Sequence, residues 1–571
     1  MNDRVYDYVI VGGGSAGCVL AGRLSARSAN RVLLVEAGKD YPPDRLPDQL
    51  QDGFAGVAYN DPQFYWQNLR VIMSPRPGNL PDRRSPRLYH QGRVIGGGSS
   101  INGMMANRGS PLDYDEWVER GAAGWGWDDV LPFFRKLESD RDFDGPVHGA
   151  DGPVGIRRLF PDVWPGYTRA VMEAVAAEGF DYIEDQNAGF GDGYFPIPVS
   201  NIDDKRVSAN VAYLTAEVRA RSNFDILDEA EVQRIAFDGR RVTGLTVRRH
   251  GKEQSIRANE VIISGGSTHS PAILMRSGVG PAAHLSHLGI DVVADRPGVG
   301  QHLMEHPNLS IAAWMKPDAR LPDGMRRQMI AAMRYSSGIE GCGEGDMFVV
   351  PTNKTAWHAL GDRIGAVMVW VNKSYSTGEV TLTAADPAVE PNVDFNMCSD
   401  ERDLVRLIQA VRLIGRLHAH PAVAEMVTDV FPAAYTEKVR KVGVYNSYNR
   451  WKTWLGAKVM DLGGPVRRGL IRSAILEGPD METLLADDEA IADWIRGNVV
   501  GTWHGSCTCR MGAADDPGAV TDPSARVYGV EGLRVCDASI MPCVPRANTN
   551  IPTIMMGEKV ADAILSESRE R

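Results

Sequence analysis

The sequence predicts an α/β fold in which a Rossmann-like nucleotide-binding domain is interwoven with a second, α+β domain. An apolar strand at residues 8–11 runs directly into a turn marked by Gly12, Gly14 and Gly17. Strand-like and helix-like segments alternate along the chain without a long low-complexity linker. The 571 residues, 43% of them hydrophobic, are enough for a large core and more than one structural unit.

The glycine turn would bring backbone amides at a helix N-terminus close to a pyrophosphate. The next strand, residues 31–35, ends at Glu36, whose carboxylate can accept a hydrogen bond from a ribose hydroxyl. Among 60 glycines the turn alone could be an ordinary one, but the strand, helix and acid in register favour nucleotide binding. The residues expected at the nucleotide are Gly12, Gly14, Ser15, Ala16, Gly17, Glu36 and Ala37.

Further elements follow from hydrophobic periodicity and turn residues. Residues 224–247 are typical of paired strands around an Asp238-Gly239 turn, and residues 260–264 of another strand. Apolar residues at three- and four-residue spacing predict helices over 403–418 and 558–565. The predicted domains are a nucleotide-binding domain of residues 1–160, 200–312 and 490–571, and a substrate-binding domain of residues 161–199 and 313–489.

Composition restricts the class of protein. A formal net charge of −11 argues against general nucleic-acid binding. Residues 1–8 carry charge and enter a strand at once, without the apolar stretch of a signal peptide, so we expect a cytoplasmic enzyme. No run approaches the roughly 20 apolar residues of a membrane-spanning helix. The seven cysteines are sparse and odd in number, which favours reduced thiols.

Several ordered segments together resemble the glucose-methanol-choline (GMC) oxidoreductase family. The sequence Gly-Arg-Val-Ile-Gly-Gly-Gly-Ser-Ser at residues 92–100 is similar to the first family signature. Residues 266–271, continuing through 277–280, are similar to the second. Residues 535–539 resemble the closing contact with the flavin. The resemblance covers essentially the whole chain and implies an FAD-binding domain beside a substrate domain built on an antiparallel sheet.

The resemblance also implies which residues contact FAD. In the choline branch a histidine just after the paired serines can bond covalently to the flavin, but Ile101 follows Ser100 here, so noncovalent FAD is expected. The implied contacts beyond the first glycine turn are Arg93, Gly97, Ser100, Asn102, Gly103, Met104, Met105, Val232, Trp503, Asp537, Ala538, Asn548, Thr549 and Asn550.

His504 and Asn548 correspond to the family's catalytic pair at the reactive face of the flavin. An imidazole with a reference pKa of about 6.5 can accept an alcohol proton near neutral pH. The implied reaction transfers that proton to His504 and a hydride to flavin N5, while the Asn548 amide holds the substrate oxygen.

Aromatic and sulfur-containing residues predict a site for a planar ring. The resemblance therefore favours oxidation of a primary aromatic or furanic alcohol to the aldehyde, with further oxidation of the aldehyde hydrate. The electron acceptor would be molecular oxygen or an artificial or quinone acceptor. Two alternatives stay open: an aliphatic-alcohol or choline-type dehydrogenase, and a non-redox enzyme resembling hydroxynitrile lyases. The expected substrate contacts are Met105, Trp370, Asn372, Trp503, His504 and Asn548.

Two other patterns have simpler interpretations. Residues 302–306 fit the zinc pattern H-x-x-E-H, but they directly follow a Gly-Val-Gly sequence and resemble a structural loop of the family, so no metal is expected. Cys507 and Cys509 lack a second thiol pair for a zinc site and are expected to pack in the interior. Cys507 departs from the glycine usual at that family position.

A basic, aromatic insertion is predicted at residues 435–475. Residues 438–472 contain nine lysines and arginines, and Asp461 is their only acid. Tyr445, Tyr448, Trp451 and Trp454 are interleaved with them. A solvated insertion is the commonest reading of such a segment. Contact with a membrane surface, an entrance for an anionic substrate and contact with another subunit are the alternatives.

Overall fold

The computed structural model describes residues 4–76, 84–434, 436–476 and 478–570. Residues 1–3 of the predicted N-terminal segment and Tyr435, the first residue of the predicted insertion, lie outside the described residues. The α-helices are Ser15–Leu24, Asp48–Gln51, Gly56–Tyr59, Pro111–Glu119, Trp127–Leu137, Gly166–Ala177, Ala209–Tyr213, Ala216–Arg219, Gly266–Arg276, Ala282–His287, Glu401–Ala419, Pro421–Met426, Glu437–Gly443, Ser447–Asp461, Gly464–Leu470, Met481–Ala486, Asp488–Asn498 and Asn550–Glu570.

A mixed sheet of seven strands organises the first domain. Its order is Phe224–Leu227, Val32–Val35, Val5–Val11, Lys252–Ile263, Arg241–Arg249 and Ala230–Asp238, with Leu533–Val535 paired to Lys252–Ile263. The first four strands run parallel, and their aliphatic residues, such as Val9, Leu33 and Ile262, are fully buried. The last two form the predicted hairpin around Asp238-Gly239.

The two ends of the chain meet beside this sheet. Helix Ser15–Leu24 packs against helix Asn550–Glu570, which contains the predicted helix 558–565. The Ser15 hydroxyl donates to Asn550 Oδ1 at 2.7 Å. A short segment from the C-terminal region therefore completes the turn formed by the N-terminal region.

An antiparallel sheet forms the second domain. Its strands, in order, are Val427–Ala433, Asn308–Met315, Ile364–Val371, Met347–Thr352, Ala331–Tyr335 and Gly193–Pro196. Side chains alternate between its two faces. Ile311 and Val369 pack toward the helices Gly166–Ala177 and Glu401–Ala419 in one core. The opposite face is turned toward a large cavity. The predicted fold class is confirmed, and strand Asn308–Met315 crosses the predicted domain boundary at residue 312.

Short strands complete the two domains. A four-stranded sheet contains Glu379–Thr381, Asn392–Asp394, Arg70–Ile72 and Arg87–Leu88. Three strand pairs are Glu138–Asp140 with Val154–Ile156, Asn201–Ile202 with Lys205–Arg206, and Val279–Gly280 with Ala294–Asp295.

The insertion folds as three consecutive helices over the cavity side of the antiparallel sheet: Glu437–Gly443, Ser447–Asp461 and Gly464–Leu470. Asp461 pairs with Arg363 at 2.8 Å, beside strand Ile364–Val371. Met460 is buried in a small cluster with residues of the sheet. The insertion is therefore an ordered part of the second domain.

The seven cysteines are all free, and six of them are buried. The backbone N–H groups of Cys507 and Cys509 donate to the carbonyls of Ala538 and Ser539, so both residues belong to a packed interior segment. Within the described part of the chain, no helix is both long and apolar enough to cross a membrane.

Candidate active site

A cavity of about 1300 Å³ lies between the mixed sheet and the antiparallel sheet. Most of the residues expected at a nucleotide cofactor form its wall on the mixed-sheet side, although they come from distant parts of the sequence. The expected residues found there are Gly12, Gly14, Ser15, Ala16, Glu36, Ala37, Gly97, Asn102, Gly103, Met104, Met105, Val232, Trp503, Asp537, Ala538, Asn548, Thr549 and Asn550.

Glycines form the part of this wall where the backbone itself borders the cavity. Gly12 has a φ of +102°, and a Cβ atom there would lie 2.4 Å from the carbonyl oxygen of Ser264. A Cβ at Gly98 would instead have nothing within 4 Å, because Gly98 faces the open cavity. The backbone can therefore approach a flat ligand directly, as a dinucleotide cradle requires.

Glu36 stands at the end of strand Val32–Val35, on the cavity wall. Its carboxylate accepts the N–H of Gly13 at 2.8 Å and the N–H of Gly38 at 2.7 Å. Burial raises the pKa of Glu36. A carboxylate has about four acceptor positions, so it has capacity left for ribose hydroxyls.

Four predicted site residues lie outside the cavity wall, and three of them are cofactor predictions. A Cβ at Gly17 would be 1.9 Å from the Gly12 carbonyl oxygen, so this glycine permits a close turn. The Arg93 guanidinium stacks on the ring of Trp66, and the Ser100 hydroxyl donates to the Ile95 carbonyl. These three residues are not part of the cavity wall, and their contacts with the cofactor stay predictions.

Asn372, the fourth, was predicted to contact the substrate. Its side chain is fully buried, and its amide donates to the carbonyl of Gly345 at 3.0 Å. Its Oδ1 accepts the indole N–H of Trp370 at 3.3 Å. Asn372 therefore supports the strand end behind Trp370 and does not reach the cavity.

The other end of the cavity contains His504, which is 7% exposed. Its Nε2 lies 2.9 Å from Asn548 Nδ2. Its Nδ1 lies 2.8 Å from His306 Nδ1 and 2.7 Å from Thr502 Oγ1. Both ring nitrogens are thus fixed by defined partners.

These contacts assign the tautomer of His504, because each hydrogen bond must have one donor and one acceptor. His306 Nε2 lies 3.1 Å from the Pro545 carbonyl oxygen and must donate to it. Its Nδ1 is then an acceptor, which requires a proton on Nδ1 of His504. Nε2 of His504 therefore has a lone pair, which accepts a hydrogen bond from the Asn548 amide.

Glu305 accepts hydrogen bonds from the segment that contains Thr502 and His504. Its carboxylate accepts the backbone N–H of His504 at 2.8 and 2.9 Å and the Thr502 hydroxyl at 3.1 Å. Burial raises the pKa of Glu305 to about 7. From the sequence, Glu305 and His306 are expected in a structural loop. In the sequence, these two polar residues directly follow the apolar Leu303 and Met304. They lie within the segment that fits the zinc pattern but was not expected to bind zinc.

Burial also lowers the pKa of His504 to about 3. The imidazole is therefore neutral across the ordinary pH range, with its lone pair available. The backbone around it is strained: Trp503 and Cys507 have φ of +61° and +74°. A left-handed conformation at residue 507 explains why glycine suits this position, and Cys507 adopts the same region at some cost.

Comparison with known proteins agrees with this geometry. Two family models, both described as GMC oxidoreductase, match residues 6–308 and 374–557. The chain belongs to the GMC oxidoreductase family. GMC oxidoreductases bind FAD. The glycines of the cavity wall, Glu36, and Asp537 and Ala538 of the C-terminal segment fit that cofactor. The buried Oδ1 of Asn548 has no hydrogen-bond partner among the described residues, as expected of an atom facing a ligand site.

Relatives in the GMC family span the full chain. A 5-(hydroxymethyl)furfural oxidase from Methylovorus sp. (strain MP688) is 42% identical, with 100% of both chains covered. An oxygen-dependent choline dehydrogenase from Photobacterium profundum is 33% identical, covering 99% of this chain and 94% of that protein. The solved structure of pyridoxine 4-oxidase from Mesorbium loti has a TM-score of 0.80 and 25% identity, covering 98% and 99% of the two chains.

The walls near His504 in this GMC oxidoreductase are mainly aromatic and apolar. Trp370, Trp503 and Met105 line the cavity, and Trp370 stacks on Phe348 at 4.7 Å between ring centroids. Among the described lining residues the only acids are Glu36, Glu231 and Asp537, which belong to the cofactor wall. The reaction end therefore offers an aromatic surface without a carboxylate for a cationic substrate.

From the end that contains His504, the cavity continues beneath the insertion. Small residues of the antiparallel sheet, Ala312, Ala366 and Ala433, leave space on its cavity face. Met460 and Leu470 of the insertion line the opposite side. The continuation is largely apolar and gives the site room beyond a single ring.

Among the residues that the structure describes, two groups of acids and histidines bring potential metal ligands within 4.8 Å of one another. Glu305, His306 and His504 form one, but hydrogen bonds to protein groups already use their ligand atoms. Glu138, Asp140 and His148 form the other, where Arg108 and Arg158 supply the positive charge. Residues 302–306 are not helical, so they do not present two imidazoles on one helical face.

Proposed function

We propose that this chain oxidises a primary aromatic or furanic alcohol to the aldehyde with noncovalently bound FAD. The observation that carries the proposal is the lone pair on His504 Nε2, held beside the Asn548 amide at the aromatic end of the cavity. The reaction class follows the family, and the 42% identical furfural oxidase supports the choice of alcohol.

In this proposal the alcohol hydroxyl enters between His504 and Asn548. It donates its proton to Nε2 and accepts the Asn548 amide N–H that caps Nε2 in the structure. The glycine turn, Glu36 and Asp537 would hold FAD on the cavity wall, and the bound flavin would supply the hydride acceptor for the carbinol carbon. Loss of proton and hydride from one alcohol leaves a carbon–oxygen double bond, so two electrons leave the substrate.

The low pKa of His504 fits a proton transfer that accompanies hydride loss. A neutral imidazole with a pKa of about 3 is a weak base toward an intact alcohol. The hydroxyl becomes far more acidic as hydride leaves the carbon, and a weak base then suffices. The same pair would accept an aldehyde hydrate, because the hydrate again presents a hydroxyl on a carbon with hydrogen.

The charge of the cavity favours this substrate over choline. Aromatic walls attract a quaternary ammonium group, and a carboxylate beside them would add a charge–charge attraction. Among the described lining residues the acids belong to the cofactor wall, and Glu305 is buried behind His504 with its oxygens bonded to protein groups. Four lysines, Lys354, Lys438, Lys441 and Lys452, also line the outer cavity. Lys354 pairs with Asp362 at 2.7 Å, and the other three oppose a cation.

Noncovalent attachment is proposed because Ile101, not histidine, follows Ser100 beside the cavity. Molecular oxygen is the proposed electron acceptor, on the strength of the oxidase relative. Denaturing the enzyme with acid and filtering it tests the attachment: released yellow FAD supports it, and protein-bound colour contradicts it.

The proposed reaction is tested by flavin absorbance without oxygen. Benzyl alcohol, a furanic alcohol, choline and a cyanohydrin are added in turn, and air is then admitted. We expect bleaching with the first two, followed by rapid recovery and peroxide formation. Slow recovery would indicate a dehydrogenase, bleaching by choline alone would contradict the substrate class, and cyanohydrin cleavage without bleaching would indicate a lyase.

A further inference from the structure

The longest helix of the insertion, Ser447–Asp461, presents a large apolar stripe to solvent. Among the described residues, seven of the thirteen exposed large hydrophobic side chains lie within residues 448–466. Trp451 is 60% exposed and Leu462 is 78% exposed. We call the set Tyr448, Trp451, Trp454, Leu455, Val459, Leu462 and Val466 the insertion patch.

The patch follows helical geometry. Tyr448, Trp451, Leu455 and Val459 are separated by three or four residues, which places them on one side of the helix. Leu462 follows at the helix end. The opposite side carries Thr453, Ala457 and Met460, which are buried against the rest of the protein. The exposed stripe is therefore additional to the face that packs the helix into the fold.

Basic side chains border the patch. Lys452 and Lys458 flank the stripe, and Arg468 follows on the next helix. Within the described residues, none of these three has an ion pair with a carboxylate. Asp461, the only acid between residues 438 and 472, is used by Arg363. A chain with a formal charge of −11 thus concentrates positive charge around a segment that holds seven of the thirteen exposed large hydrophobic side chains among the described residues.

This combination identifies the chemistry of the partner. Exposed tryptophans and aliphatic residues on one helix face, bordered by lysines, match an anionic lipid surface, where apolar groups enter the acyl boundary and lysines meet headgroups. A second copy of the chain would fit less well. A symmetric interface through the patch would bring the same basic residues together without acids to neutralise them.

We propose that the insertion patch docks this protein on anionic lipid surfaces, with helix Ser447–Asp461 lying parallel to the surface. The docking is independent of the reaction proposed above. Because Thr453, Gly456 and Met460 of the same helix line the cavity, docking would hold the outer cavity next to the lipid. Binding requires no membrane-spanning segment.

The test is flotation of the FAD-loaded protein with vesicles. Vesicles of phosphatidylcholine mixed with phosphatidylglycerol are compared with vesicles of phosphatidylcholine alone. We expect at least about tenfold stronger binding to the mixed vesicles, weakened by salt. Lys452→Glu with Lys458→Glu should remove most of this preference. Absence of binding to mixed vesicles would overturn the proposal.

A matched pair of triple variants separates the patch from general surface hydrophobicity. Trp451→Ser, Leu455→Ser and Leu462→Ser change the patch, whereas Leu112→Ser, Val292→Ser and Val389→Ser change side chains that are 49%, 41% and 40% exposed elsewhere. We expect at least about a tenfold loss of vesicle binding only in the patch variant. Thermal unfolding of both variants checks that the fold is retained.

Two results would contradict the assignment. Equal losses in the two triple variants would show that the patch has no special role. A dimer in lipid-free buffer that the patch variant alone abolishes would show that a second copy covers this face.

Discussion

Nδ1 of His306 lies 2.8 Å from Nδ1 of His504, and this single contact sets the protonation of the proposed base. Because His306 donates through Nε2 to the Pro545 carbonyl, its Nδ1 can only accept. His504 must then keep its proton on Nδ1 and leave Nε2 free for substrate. Removing His306 should therefore impair the chemistry without removing the base itself.

We expect His306→Leu to slow flavin reduction about 100-fold while FAD stays bound, since a wrongly protonated imidazole is a poor base. The matched control is His418→Leu. His418 is also buried, with hydrogen bonds to the Tyr167 hydroxyl and the Ile414 carbonyl, but it is not part of the cavity wall. The control should lose stability and keep its reduction rate. Equal rates in both variants would remove the positioning role of His306.

Asn548→Ala should lower kcat/KM by about 100-fold, because one donor to the substrate oxygen is lost. The control is Asn372→Ala, which removes an amide that was predicted to contact substrate but is buried behind Trp370. Asn372→Ala should lower the free energy of unfolding by about 1–3 kcal/mol and leave KM unchanged. A raised KM in Asn372→Ala alone would reverse this assignment.

Gly98→Ala tests the cofactor cradle, because its new methyl group would enter space that is open in the protein itself. We expect FAD affinity to fall by about tenfold or more, equivalent to about 1.4 kcal/mol, without loss of apoprotein stability. Gly497→Ala, also with nothing within 4 Å of its Cβ, lies on helix Asp488–Asn498, is not itself part of the cavity wall and serves as control. FAD titration followed by flavin fluorescence measures both. An unchanged FAD affinity in Gly98→Ala would show that the cofactor does not contact this part of the wall.

Much of the fold and cofactor wall could be predicted because the signals are local. The strand before Gly12, the acid at Glu36 and the family-like segments each lie within a short stretch of sequence. The contacts of Glu305 and His306 could not, since they depend on a loop nearly 200 residues away from His504 folding against it. The burial of Asn372 could not be predicted either, because sequence order gives no direction for a side chain at a strand end.

Acid should destabilise the protein through its buried histidines. Burial lowers the pKa of His90 to about 3 and of His358 and His418 to about 4, whereas unfolded histidine titrates near ~6.5. Below that pH the unfolded chain takes up protons that the folded chain excludes, so stability falls by up to ~1.4 kcal/mol per pH unit for each group. Glu305 has the opposite effect between pH 7 and about 4.3, the usual pKa of an unfolded glutamate. In that range the folded chain takes up a proton on Glu305 that the unfolded chain does not, which stabilises the folded state.

The measurement is thermal unfolding at a series of pH values. The unfolding midpoint should fall as pH decreases from about 6.5 toward 5, and fall less steeply in His418→Leu. A midpoint that rises over this window would show that buried histidines do not govern the acid response.

His504 is proposed to accept the alcohol proton during oxidation at the FAD site. The most direct measurement is the rate of anaerobic flavin bleaching by a furanic alcohol in the native protein and in His504→Ala, at equal FAD occupancy. Bleaching in the native protein that slows by about 10²–10⁴-fold in the variant is the result we predict. An unchanged rate in His504→Ala would show that His504 is not the proton acceptor.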